Sequence, residues 1–153
     1  MAARDTARDE RGPRKVKEHR VSVGGVVFLA DLPITTSASL RDEGWRDETL
    51  ERHDLAIARW LQEHGARTGD GVRWLRKMIG LEARELAEVL GVTAETVSRW
   101  ENDRLEIDAV AWVVLGAIVR DRATGQTHTL DALRAARERP SLPDTAVRLD
   151  VAR

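Results

Sequence analysis

The sequence predicts a mainly α fold, in which a small β-hairpin plus helix segment over residues 19–64 precedes a domain of five short helices over residues 71–139. Three observations predict it. Two runs rich in β-branched residues flank Gly24-Gly25, the strongest local hairpin signal in the chain. From Leu50 onward, apolar residues recur at helical spacing in separate stretches. Gly65, Gly80, Gly91 and the polar loop 102–106 punctuate those stretches, which keeps the helices short and closely connected.

In chain order, residues 1–18 (MAARDTARDERGPRKVKE) contain Gly12-Pro13 and no apolar period, and read as a disordered basic arm. His19–Val23 and Val26–Ala30 are the two strands, and Pro33 closes the second because proline cannot donate to a strand ladder. A lone hairpin is marginal in water, so this one requires a surface to pack on. Leu50, His53, Ile57, Trp60 and Leu61 define an amphipathic helix from Arg46 to His64. Residues 65–70 form a short linker, with Asp70 placed to cap the next helix. Helices are then expected at Val72–Ile79, Ala83–Leu90, Ala94–Glu101 and Asp108–Val119, and from a cap at Thr129 to Arg139, where Pro140 stops the chain's last helix. Residues 140–153 read as a loosely held C-terminal tail.

Composition narrows the function. Charged residues make up 33% of the 153 and the apolar set 42%, enough for a core and for solubility. The absence of cysteine excludes disulfides, thiolate zinc sites and cysteine nucleophiles together. No apolar run approaches the roughly 18 residues that span a bilayer, and the N-terminus lacks the apolar stretch of a secretory signal, so the expected location is cytoplasmic with no membrane partner. The four histidines (19, 53, 64 and 128) show no ligand spacing, and there is no phosphate loop or nucleophile elbow. The chain is therefore expected to be neither an enzyme nor a binder of metal or cofactor.

A formal net charge of −1 does not by itself suggest nucleic acid. Local distribution matters more: residues 1–20 hold seven Lys/Arg against four Asp/Glu, and residues 71–104 hold six of each. Any phosphate-binding surface in the second segment needs its arginines gathered on one face and its acids turned away.

Residues 81–102 (LEARELAEVLGVTAETVSRWEN) meet the requirements of a helix-turn-helix in order. Ala87 is small where two helices cross closely, and Gly91 can take the positive φ of a tight inter-helix turn. Leu86, Leu90, Val92, Val97 and Trp100 supply the shared core. Thr93 caps the second helix, whose first turn would enter the major groove.

From Leu75-Arg76 to Glu101-Asn102 the sequence resembles the Xre/Cro family of bacterial regulators, which implies a five-helix, lambda-repressor-like domain. The resemblance covers about 50 residues including the helix at 108–119, a span within the range of a small domain. It implies that Arg76 pairs with Glu101 to brace the first helix against the end of the recognition helix. It also implies base contacts from Thr93, Ala94, Glu95, Thr96 and Arg99. A guanidinium at Arg99 can donate twice to guanine O6 and N7. Glu95 either accepts from cytosine N4 or simply favours the positive end of the helix dipole. The sequence departs from the family where a Ser/Thr-Gln pair commonly anchors a phosphate, since Glu82 and Ala83 stand there; Arg84, Asn102 and Arg104 lie nearby to compensate.

The order of parts also resembles antitoxins of the MqsA or YgiT type, in which a small zinc-binding β domain precedes the helix-turn-helix. Thr36 and Ser39 stand where a Cys-x-x-Cys pair would fall, so this resemblance implies a zinc-free N-terminal domain held by Val21, Val23, Val27, Leu29 and Ile34.

The helix at 108–119 is apolar on almost every face. Trp112, Leu115, Ile118 and Val119 therefore either meet a second subunit, giving a homodimer on a palindromic double-stranded operator, or are covered by residues 130–139 of the same chain. The function expected is a DNA-binding transcriptional repressor, as a type II antitoxin that autoregulates its promoter and holds a toxin through its N-terminal segment. A stand-alone Xre-family regulator and a protein-interaction adaptor are the alternatives.

Overall fold

The computed structural model describes residues 15–36, 43–138 and 141–150. Strands β1 (Val16–Val23) and β2 (Val26–Pro33) pair antiparallel, from Val23↔Val26 at the turn to Val16↔Pro33 at the open end. Gly24 and Gly25 make the turn at φ +57° and +81°, a left-handed pair that matches the twist of the strands and suits glycine best. A short bridge between β3 (Thr35–Thr36) and β4 (Glu43–Gly44) follows. Six helices complete the described residues: α1 (Asp47–Glu63), α2 (Gly69–Met78), α3 (Ala83–Leu90), α4 (Ala94–Glu101), α5 (Ala109–Ala123) and α6 (His128–Arg137). The fold is thus mainly α, a hairpin and one helix ahead of five more. Residues 141–150 are exposed and carry neither helix nor strand.

Several boundaries differ from the expectation: β2 runs on to Pro33 and α5 to Ala123, and three starts are set by contacts outside the element itself. β1 starts at Val16, inside the stretch read as an arm; residues 1–14, Ser39, Arg139 and Pro140 lie outside the described residues. α2 starts at Gly69 and is capped by Thr68, whose hydroxyl accepts the Gly71 amide at 3.1 Å, while Asp70 lies in the first turn and pairs with Arg73 at 3.8 Å. The start is fixed by tertiary approach: a Cβ on Gly69 would lie 2.5 Å from the Glu101 carbonyl oxygen, so the chain needs glycine there. α6 starts at His128, leaving Thr129 inside it. The Thr129 amide is capped from a different helix, by the Asp121 carboxylate at 2.6 Å. Accepting that bond holds the Asp121 carboxyl below its usual range.

The hairpin's inner face also differs from the apolar set expected. Residues directly opposite in an antiparallel pair share a face, so the register Val23↔Val26 and Val21↔Phe28 puts these four together. Val23 is buried, and Val21 and Phe28 pack against the core, with the Phe28 ring edge-on to Trp60 at 5.2 Å. Val27 and Leu29 point outward, 44% and 55% exposed. Apolar residues on both faces hid this alternation.

A single cluster of buried residues runs from Val23 through Ile57 and Leu61 of α1 to Val72, Leu75, Leu86, Val97, Trp100 and Ile107. The hairpin segment and the five-helix segment therefore share one core, with the hairpin's turn set against Thr68 at the start of α2. Trp112, Leu115, Ile118 and Val119 belong to that core, each at most 5% exposed. The expectation that these four form a dimer face is corrected by that burial. α1 packs along α5, and α6 adds Leu130 and Leu133 from the other side. The large apolar side chains α5 leaves outside are Val110 and Val113.

Candidate nucleic-acid interface

α3 and α4 are joined by three residues whose conformations are set locally. Gly91 lies at φ +69°, ψ +33°, and the Val92 amide donates back to the Ala87 carbonyl at 3.0 Å, closing α3 with a left-handed cap. Thr93 is extended and its Oγ1 accepts the Thr96 amide at 3.1 Å, opening α4. Leu86 and Val97 are fully buried beneath the turn, with Ala87 at the crossing. These contacts fix the angle at which α4 leaves α3.

The far end of α4 is held from behind. Arg76 donates from Nε to Glu101 Oε1 at 2.5 Å, from Nη2 to Oε2 at 3.2 Å and from Nη1 to the Leu81 carbonyl at 3.0 Å. Arg73 adds Nη2 to the Glu101 carbonyl at 3.1 Å. The Arg76 and Glu101 side chains are 12% and 9% exposed. The hydrogen bond to Glu101 holds the Arg76 guanidinium above its ordinary pKa, so the arginine side of the pair stays charged. Asp103, at φ +54°, turns its carboxylate onto the Gly69 amide at 2.6 Å. α2 therefore grips the end of α4 through side chain and backbone together.

This brace leaves the front of α4 open. Thr93, Ala94, Glu95, Arg99 and Asn102 are exposed along it. Thr96 is half-buried, and its hydroxyl lies 2.9 Å from that of Thr93. Ser98 lies on the same exposed face, three residues from Glu95; the sequence reading passed over it, although helical spacing could have found it. Asn102 Nδ2 folds back to donate to the Ser98 carbonyl at 2.7 Å. Arg84 lies on α3, exposed and 3.5 Å from Glu88. Arg104, also exposed, follows the end of α4 and donates its amide to the Arg99 carbonyl at 2.9 Å.

The acids are not turned away from the arginines. Glu95 Oε1 lies 2.7 Å from Arg99 Nη2, one helical turn along the open face. Both side chains are well exposed, and such pairs contribute about 0–1 kcal/mol. Arg99 can exchange this partner for another acceptor at small cost. Among the described residues, no group of three or more His, Cys, Asp or Glu is placed to hold a metal, and no helix is long and apolar enough to cross a membrane.

A helix-turn-helix family profile matches residues 72–109, from α2 to the first residue of α5. That span is a helix-turn-helix domain of the Xre type. No curated protein and no solved structure matches the chain.

Proposed function

We propose that the chain is a DNA-binding transcriptional regulator of the Xre type that reads an operator with the front of α4. The observation that carries this reading is the open first turn of α4, capped by Thr93 and braced from behind by Arg76–Glu101, inside a span matched as a helix-turn-helix. Thr93, Ala94, Glu95 and Thr96 lie at the groove end of the helix, with Arg99 one turn later as the guanine reader. Asn102, Arg84 and Arg104 flank them as phosphate contacts. Ser98 joins this face.

Two copies are expected to bind a palindromic operator as a homodimer, and the exposed Val110 and Val113 of α5 support that pairing. The outward Val27 and Leu29 of the hairpin support a partner-binding N-terminal segment. This is the surface through which an autoregulating antitoxin would hold its toxin; in a stand-alone regulator it has no such partner.

The test is binding of the purified chain to DNA from its own promoter and to unrelated DNA at two salt concentrations, with Arg99→Ala in parallel. Tighter binding to the promoter, weakening steeply with salt and lost in the variant, is the expected result. Equal, salt-insensitive binding to both DNAs, or none, leaves a protein-interaction adaptor in its place.

A further inference from the structure

The seam between α1 and α5 does not close along its outer length. It leaves a groove of about 590 Å³, within the roughly 300–1,000 Å³ typical of small-molecule sites. Its floor is apolar, made by Leu55, Ala56, Val119 and Ala123. Three arginines, Arg52, Arg59 and Arg120, stand around it. Glu63 lines the groove as well and holds Arg59 at 2.9 Å, and Glu51 lies 3.8 Å from Arg122. Arg52 and Arg120 make no close ion pair among the described residues, although the Arg120 charge also helps hold the Asp121 carboxyl low.

Gln62 marks the inner wall. Its side chain crosses the bare backbone of Gly116, where any Cβ on α5 would collide with it. Its Nε2 is buried and makes no hydrogen bond among the described residues. The groove thus combines an apolar floor with two guanidinium groups at the rim that make no close ion pair among the described residues.

We infer that this groove binds an organic anion, a carboxylate carried on an apolar body. The body covers Leu55, Ala56 and Ala123, while the carboxylate takes the guanidinium forks of Arg52 and Arg120. Planar guanidinium pairs with planar carboxylate in two parallel bonds, which favours this head group over a neutral one. The site lies between α1, against which the hairpin packs, and the second half of α5, which continues from the end of the helix-turn-helix span. It stands whether or not α4 reads DNA.

The test is titration calorimetry of the full chain, without DNA, using octanoate, 1-octanol and inorganic phosphate as probes. Octanoate should bind saturably, and the uncharged alcohol and the bodiless anion should each bind at least about tenfold more weakly. Arg52→Gln and Arg120→Gln should each weaken octanoate by about tenfold and leave octanol unchanged. Ala123→Trp fills the groove from its exposed side, and should abolish octanoate binding while the far-ultraviolet dichroism stays that of the parent. Octanoate binding no tighter than octanol or phosphate, or binding indifferent to the arginine variants or to Ala123→Trp, overturns the site. Because no DNA is present, that failure is separate from failure of the operator reading.

Discussion

The back and the front of α4 carry the same chemistry in different surroundings. Behind it, Arg76 meets Glu101 at 2.5 Å; in front, Arg99 meets Glu95 at 2.7 Å. Distance does not distinguish the two pairs. Solvent does: the rear side chains are 12% and 9% exposed, the front ones 57% and 73%. In the interior an ion whose partner is removed has no water to replace it, whereas at the surface water and salt take over. The same residue pair is therefore a fixed strut on one face and an exchangeable contact on the other, and only the second can serve recognition.

The largest expected effect tests the strut. Arg76→Met strands the Glu101 carboxylate and should destabilise the fold by about 3–5 kcal/mol in urea denaturation, as for other buried pairs broken on one side. Arg73, whose Nε lies 3.5 Å from Glu101 Oε2, sets the loss toward the lower end. Removing both charges in Arg76→Met/Glu101→Leu should restore most of it, because no ion is then left unpaired. A loss in the single variant no larger than that of a surface pair erases the difference between the faces.

Next in size is Gly69→Ala. Its Cβ would press on the Glu101 carbonyl oxygen, a backbone atom that cannot swing aside, so α2 and α4 must part slightly. Overpacking of this kind costs about 1–3 kcal/mol. Unchanged thermal stability would mean that the brace tolerates a wider spacing than its hydrogen bonds indicate.

On the front face, Arg99→Ala should alter stability by no more than about 0.5 kcal/mol. Its effect belongs to DNA: about 1–3 kcal/mol of discrimination at one base pair, measured by competition between operator variants. Glu95→Gln frees Arg99 and removes an acid from the surface, so operator affinity should rise and its salt dependence steepen. A drop in affinity instead would give Glu95 a direct base contact.

How much of this the sequence discloses depends on how local each cause is. The α3–α4 unit was readable because Gly91, Thr93 and the spacing of Leu86, Val97 and Trp100 act within a few residues of one another. The start of α2 was not, because Gly69 answers to a carbonyl in α4 and Asp103. Nor was the start of α6, where the cap comes from Asp121 in the preceding helix. The apolar surround of α5 disclosed that it is buried but not by what; α1 covers much of it, leaving Val110 and Val113 as the large apolar side chains outside. The Arg99–Glu95 contact was implicit in the spacing of four, but pairing on a helix face does not say whether a charge is held for structure or kept for a ligand.

The smallest effect extends the same rule to titration. Acid sensitivity near neutrality can come from a titratable group whose charged form burial disfavours. His53 on α1 is such a group, 8% exposed, with its Nδ1 2.9 Å from Nδ1 of His19 on β1. Burial first, and then the charge of His19, holds His53 below the usual histidine value of 6.5, with Asp54 opposing them weakly. One of the facing nitrogens must stay unprotonated to accept the other's hydrogen, while Trp45 lies edge-on to His19 with Lys17 over its ring. Because the folded pKa lies below the unfolded one, the unfolded chain takes up the proton first as pH falls through about 6.5, and stability declines until the folded His53 also protonates. Asp54 acts oppositely and at lower pH: burial raises its pKa, so the folded chain gains protons first above 3.8 and the decline eases there. The thermal midpoint should therefore fall by a few degrees between about pH 7.5 and pH 5.5, and His53→Phe should flatten that slope. An equal slope in the variant would move the acid sensitivity away from the hairpin seam.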